Sequence, residues 1–308
     1  MRCVTPSRIR YARLATEQAN RASRALDRLT PLRIALLMNR EDRRAVQAVA
    51  RVRRPIAAAV EAIVAALRQG GRLFFVGAGT SGRLGVLEAA ECSPTFGTPR
   101  RLVQAIIAGG PAAVFRSREG AEDDARAATH EVGTRVRPGD VVVGVSASGV
   151  TPFVRAALAT ARRRGARTVL VACNQTRPRG ARADILIAPA PGPEVLAGST
   201  RLKAGTATKL VLNTLTTATM ARLGRVYGNR MVDLQPGSAK LRERAVRLVA
   251  EIAGVRRARA GRALVESGGS VRVAIVMARH GWSARRAVRA LREAGGSLRE
   301  VLQRPRRK

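Results

Sequence analysis

The chain has 308 residues, 46% of them hydrophobic and 25% charged, the balance of a globular protein that can bury a sizeable core. No apolar run approaches the roughly 18 residues needed to span a bilayer, and Cys3, Cys92 and Cys173 with His130 and His280 show no metal-ligand spacing, which argues against a membrane-embedded protein and against a zinc or iron site. The formal net charge is +36, but the 57 basic residues are spread along the chain, so salt-sensitive sticking to polyanions is expected and a specific nucleic-acid partner is not.

Residues 1–15 are basic, lack acids and carry no apolar signal core, so they read as a frayed extension. Residues 16–54 carry two helical patterns, with Leu29, Leu32, Ile34, Leu36 and Leu37 as apolar positions. Pro55 suits the first turn of a helix running to Leu67, stopped by Gln69-Gly70-Gly71. Strand-like runs follow at 72–77, 101–107, 140–146, 167–173 and 184–188, with helical patterns at 81–90, 111–132 and 152–164. That alternation predicts βαβ units and a parallel sheet covered on both faces, for which the flavodoxin-like order 2-1-3-4-5 is taken as the working assumption. A long helix is expected over 202–226. Residues 238–308 hold only short helical patterns, broken at Gly254, Gly268-Gly269 and Gly295-Gly296, which predicts a small helical bundle.

In such a sheet, ligands bind beyond the carboxyl ends of the strands where the strand order reverses. The loops after the first and third strands flank that point. They read GAGTSGR (77–83) and SASGVTP (146–152), and both lead into helices. Glycines let backbone N–H groups approach an anion, hydroxyls add donors, and helix N-termini add partial positive charge. Gly77, Gly79 and Gly82 also match the G-x-G-x-x-G spacing of dinucleotide sites. The second hydroxyl loop and the lack of a ribose-binding acid some twenty residues on favour a phosphomonoester instead.

Three acidic features stand out in so basic a chain. Glu91 is read as ending the first helix after the glycine loop, where the dipole favours the protonated form a general acid needs. GluGlyAlaGluAspAsp (119–124) crowds four carboxylates, an arrangement that suits a general base. Glu194 is an isolated loop acid after Gly192-Pro193. Only four basic residues are lysines. Two of them, Lys203 and Lys209, lie in one segment, as if at sites an arginine fork cannot serve. His130 and His280 read as structural or exposed.

These segments, in this order, resemble the N-acetylmuramic acid 6-phosphate etherases, a family of the sugar isomerase (SIS) fold. The resemblance runs from about Thr16-Glu17. It includes LeuMetAsnArgGluAsp (37–42), VGAGTSGRLGVLEAAECSPTFGTP (76–99), IIAGG (106–110), EGAEDD (119–124), DVVVGVSASGVTP (140–152), GPEVLAGSTRLKAGTATKLVLN (192–213) and VYGNRMVDL (226–234). It implies an α/β chain: N-terminal helices over 1–54, an SIS sugar-phosphate domain over 55–235 and a UBA-like helical bundle over 236–308. By that likeness Glu91 is the general acid and Glu122 the general base. Phosphate binding falls to Thr80, Ser81, Ser146, Ser148 and Thr151, and Gly79, Gly82, Arg83, Gly149, Glu194, Ser199 and Lys203 are further substrate-binding residues. The implied reaction uses no cofactor or metal, and its substrate is a small sugar phosphate. The implied state is a cytoplasmic homodimer. Three positions depart from the family pattern: Val150 where arginine is usual, Ser93 for a proline, and Gln175 where Asn-Pro is usual. The alternatives are a sugar-phosphate isomerase and a non-catalytic sugar-phosphate sensor.

Overall fold

The structure is a computed structural model that describes residues 12, 14–174, 183–234 and 237–304. Gln175 lies outside the described residues. The chain divides into two compact units, one comprising residues 1–89 and 101–215, the other 90–100 and 216–308.

The first unit opens with three short 3-10 turns, at Ala15–Glu17, Arg21–Ser23 and Leu26–Arg28, and then helix α1 (Pro31–Arg51). Two helical patterns are expected before residue 54, but only the second forms an α-helix. Its start has both chemical signals of a helix N-terminus, Thr30 as the cap and Pro31 at the first position. Helix α2 (Arg53–Arg68) follows and leads into the sheet.

Strands β1 (Leu73–Gly77), β2 (Val103–Ile107), β3 (Val141–Val145), β4 (Arg167–Val171) and β5 (Ile185–Ile187) pair in parallel in the order β2-β1-β3-β4-β5, as expected. β1 and β3 are buried throughout, which is why they read as unbroken apolar runs and not as alternating ones. On one face Phe74, Val76, Val142 and Leu170 pack with Phe153, Val154, Ala157 and Leu158 of helix α5 (Pro152–Arg163) and with Ala128 and Val132 of helix α4 (Ala125–Arg135). On the other face the long helix α3 (Gly79–Phe96) lies close to β1: a side chain at Gly85 would come within 2.8 Å of Phe75 Cβ.

Two helix boundaries differ from expectation. The pattern over 111–132 is not one helix. It breaks into a 3-10 turn (Pro111–Val114), an irregular stretch, a second 3-10 turn (Ala121–Asp123) and α4. Asp124 is responsible, because its carboxylate accepts the Ala127 N–H at 2.8 Å and starts α4 there. Helix α3 in turn passes Ala90 and continues through Pro94 to Phe96, so Glu91 does not end it.

Helix α6 (Lys203–Arg222) carries the chain from the first unit into the second. Where the helix was expected to run on to 226, the chain forms a two-stranded hairpin, β6 (Val226–Tyr227) with β7 (Arg230–Met231); two-residue strands are too short to leave a period-2 pattern. Five helices complete the described part of this unit: α7 (Ala239–Ala253), α8 (Arg257–Glu266), α9 (Val271–His280), α10 (Ala284–Glu293) and α11 (Leu298–Gln303). They pack around Val249, Ala274, Ile275, Val276, Ala287 and Val301. No helix among the described residues is long and apolar enough to cross a membrane.

Candidate functional site

Parallel pairing sets Gly77 opposite Val145, so the two hydroxyl-rich loops leave neighbouring strands at the same level. This is the point where the strand order reverses, the usual ligand position of such sheets. Each loop is shaped by its glycines. A side chain at Gly82 would meet the Gly77 carbonyl oxygen and Ile107 Cγ1, both at 2.7 Å, so only hydrogen fits in this turn. The glycines of GAGTSG thus close the strand-helix turn tightly, a need that exists with or without a dinucleotide. In the second loop Gly149 takes φ +74°, open to glycine and strained for most side chains.

The second loop is organised by its own hydroxyls. Ser146, which is buried, sits at the hub: its Oγ lies 2.8 Å from Thr151 Oγ1 and 3.3 Å from Ser148 Oγ, and it accepts the Gly149 N–H at 3.0 Å. Ser148 Oγ accepts the Val150 N–H at 3.2 Å. Thr151 stands at the cap position of α5 but makes no cap bond. Its hydroxyl turns to Ser146, and the first turn of α5 keeps N–H donors for an anion. Val150, one of the three departures from the resemblance, is buried.

In the first loop Gly79 opens α3 with φ +52°. Thr80 and Ser81 follow in the first turn, and Thr80 Cγ2 would lie 3.8 Å from a side chain at Gly205, near the start of α6. Arg83 is partly buried, and its Nε donates to the Val114 carbonyl at 2.8 Å, which ties α3 to the 3-10 turn after β2.

The start of α6 holds the densest polar cluster. Glu194 is buried, and its two carboxylate oxygens accept the backbone N–H groups of Lys203 and Ala204, each at 2.9 Å. Glu194 therefore caps α6, where a carboxylate meets the positive end of the dipole. Burial pushes its carboxyl above the usual range, opposed by those N–H groups and by Lys203. Lys203 is fully buried, and its Nζ donates to Glu41 Oε2 of α1 at 2.6 Å. The same oxygen accepts from Asn20 Nδ2 at 2.7 Å, and Asn20 also donates to the Pro193 carbonyl at 3.1 Å. Burial alone would raise the Glu41 carboxyl, but the hydrogen bonds from Lys203 and Asn20 outweigh it and hold the group below its ordinary value. Lys209, by contrast, is exposed, so the two surviving lysines have different surroundings. Ser199 lies half-buried in the turn before α6, its backbone N–H bonded to Leu196.

Cys173, at the end of β4, packs against Ala147 of the second loop and Ala204 of α6. Burial pushes its thiol up to about 12, so it is an inert packing group, not a nucleophile.

The two acids singled out in the sequence make no hydrogen bond or ion pair with these clusters among the described residues. Glu122 is exposed in the 3-10 turn before α4, in the first unit. Glu91 is exposed on α3, in the segment assigned to the second unit. One turn before Glu91, the buried Glu88 accepts from Asn213 Nδ2 of α6 at 2.6 Å. Of the acidic run, Asp124 is taken up in capping α4. Sequence reasoning missed Glu41, Asn20, Glu88 and Asn174. Glu41 and Glu88 left a trace, inside the segments LeuMetAsnArgGluAsp and VGAGTSGRLGVLEAAECSPTFGTP. No cluster of three or more metal-ligating side chains occurs among the described residues.

A doubly wound parallel sheet with two hydroxyl loops at its switch point is the SIS type of α/β domain. The description glucokinase regulatory protein N-terminal SIS domain matches residues 55–162, and SIS domain matches 121–218. A phosphoheptose isomerase from Francisella tularensis aligns over 63% of this chain and all of its own, with a TM-score of 0.48 and 16% identity. Much nearer in sequence are N-acetylmuramic acid 6-phosphate etherases. That of Symbiobacterium thermophilum is 53% identical over 264 residues, covering 86% of this chain and 88% of its own. That of Gloeobacter violaceus is 54% identical over 267 residues, covering 86% and 87%. The chain belongs to the N-acetylmuramic acid 6-phosphate etherase family.

Proposed function

We propose that this protein cleaves the D-lactyl ether of N-acetylmuramic acid 6-phosphate, giving N-acetylglucosamine 6-phosphate and D-lactate, with Glu122 as base and Glu91 as acid. The phosphate rests on the loops 77–83 and 146–151, through the hydroxyls of Thr80, Ser81, Ser146, Ser148 and Thr151. With the sugar ring open, the C1 aldehyde acidifies the C2 proton. Glu122 removes that proton, and the C3–O bond breaks as Glu91 protonates the departing lactyl oxygen. Water then adds to the unsaturated aldehyde at C3, which restores a hydroxyl there. The substrate's own carbonyl holds the developing charge, so no cofactor is called for.

The observation that carries this reading is identity near 50% to etherases over 86% of the chain, joined to two hydroxyl loops on the adjacent strands β1 and β3. Both carboxylates are present, and the departure at Val150 leaves the hydroxyl hub of its loop in place. We further propose a homodimer. Leu32, Leu36 and Val46 stand exposed along α1, apolar surface of the kind a subunit contact buries.

The test is D-lactate release from N-acetylmuramic acid 6-phosphate by the purified protein. Glu91→Gln and Glu122→Gln should each slow release by roughly 10²–10⁴, the range of general acid–base groups. Wild-type protein that releases no lactate would overturn the reading.

A further inference from the structure

Residues 15–20 precede the helix α1 and are hydrogen-bonded to distant parts of the chain. They form a strap tied at three places to the loops around the proposed phosphate cradle. The Gly198 N–H donates to the Thr16 carbonyl at 3.0 Å, in the turn before α6. Asn20 donates to Glu41 and to the Pro193 carbonyl. The third tie is the Ala15 N–H, which donates to Asn174 Oδ1 at 3.0 Å. Asn174 follows β4 and is buried. Its Nδ2 in turn donates to the carbonyls of Ala147 at 3.3 Å and Ser148 at 2.9 Å, within the hydroxyl loop. The amide can sit only one way round. Ala15 offers a donor and the two loop carbonyls offer acceptors, so a flipped Asn174 would lose all three bonds.

We infer that Asn174 is a positioning residue that sets the 146–151 loop for the substrate's phosphate, and that the strap holds it in place through the Ala15 N–H. The proposal rests on reading that loop as the phosphate cradle. The Ala147 and Ser148 carbonyls are drawn back onto Asn174, with Ala147 also bonded by the Cys173 N–H at 2.9 Å. The Ser146, Ser148 and Thr151 hydroxyls thus belong to a loop whose Ala147 and Ser148 carbonyls are engaged on Asn174 and Cys173. A phosphate placed there would not face the Ala147 and Ser148 carbonyls as competing acceptors. Without the Ala15 bond, Asn174 can swing and the carbonyls lose their anchor. An effect on phosphate affinity, and not on the chemical step, is what this arrangement dictates.

The sharpest probe is Ala15→Pro, which deletes only the N–H. Ala15 is the first residue of its 3-10 turn and Leu14 before it is extended (φ −72°, ψ 134°), so proline fits the backbone at both positions. Binding of inorganic phosphate and of N-acetylglucosamine 6-phosphate is measured by calorimetry, alongside KM, kcat and melting temperature. Ala15→Pro and Asn174→Ala should each weaken both anions, and raise KM, by about three- to tenfold, the factor one lost hydrogen bond carries. kcat should stay within about twofold. Asn174→Asp keeps the acceptor for Ala15 but loses both loop bonds and adds a negative charge beside the cradle, and should weaken both anions at least as much as Asn174→Ala. Ala15→Pro added to Asn174→Ala should cost nothing further, since both act on one chain of bonds.

Wild-type anion affinity in Ala15→Pro, or additive losses in the double variant, overturns the inference while leaving lactate release intact. Wild-type protein that binds neither anion overturns it as well. Anion affinities that follow the expected pattern in a protein releasing no lactate uphold the strap and overturn only the etherase reading.

Discussion

Glu41→Gln tests the buried charge cluster at the start of α6. The substitution keeps shape and removes charge. The Gln carbonyl can still accept from Lys203 and Asn20, but the fully buried ammonium loses its counter-ion at 2.6 Å. Breaking such a pair costs about 3–5 kcal/mol, because the remaining charge is stranded out of water. In a unit of this size each kcal/mol lowers the melting temperature by about 2–4 °C, so the drop at pH 7 should be at least about 6 °C. Replacing both partners, Glu41→Met with Lys203→Met, should cost much less than Glu41→Gln alone, since no charge is then left buried. The pH dependence has a definite sign. The Glu41 carboxyl is held below its ordinary 4.5 in the folded protein, so its contribution is fully present above 4.5 and is lost as pH falls through the lowered folded value. The gap between wild type and Glu41→Gln should therefore be widest near pH 6–7 and narrow below 4.5. Differential scanning calorimetry across that range measures it. A melting temperature within about 2 °C of wild type at pH 7, or a gap that widens in acid, would refute the reasoning.

Ser146→Ala removes the hub that joins Thr151 and the Gly149 N–H, and should raise KM by about tenfold or more while the melting temperature falls by only a few degrees; steady-state lactate kinetics would show it, and an unchanged KM would count against the hub. Gly82→Ala forces a methyl against the Gly77 carbonyl and Ile107, both at 2.7 Å, and should destabilise by about 1–3 kcal/mol, read from urea denaturation; a neutral result would mean the turn is looser than described. Cys173, its thiol pushed up to about 12 by burial, should remain unmodified by iodoacetamide at pH 8 in the native protein. Rapid labelling found by mass spectrometry would contradict that burial.

The strands of the sheet and its two hydroxyl loops were readable from sequence because they rest on local chemistry. Unbroken Val/Phe/Leu runs mark strands buried on both faces, and glycine-hydroxyl turns mark the ends of β1 and β3. The acidic run 119–124 could not be read like this. A helical pattern across it looked continuous, but the Asp124 carboxylate and Gly120 at φ +73° restart the chain there. Glu91 was read at a helix end because Pro94 lies close behind it, yet α3 absorbs the proline and ends after Phe96.

What sequence alone determined, then, was the alternation of elements, the parallel sheet they imply, the place of two glycine-hydroxyl turns and, by resemblance, the family. Only the tertiary structure decided that Lys203 faces Glu41, 162 residues away, and that Asn174 links Ala15, 159 residues away, to the hydroxyl loop. The physical reason is range. Hydrophobic period and turn chemistry act over a few residues and leave their mark in a local window. A buried charge or amide is satisfied by whichever donor or acceptor the folded path brings within 3 Å, and no local pattern records that partner.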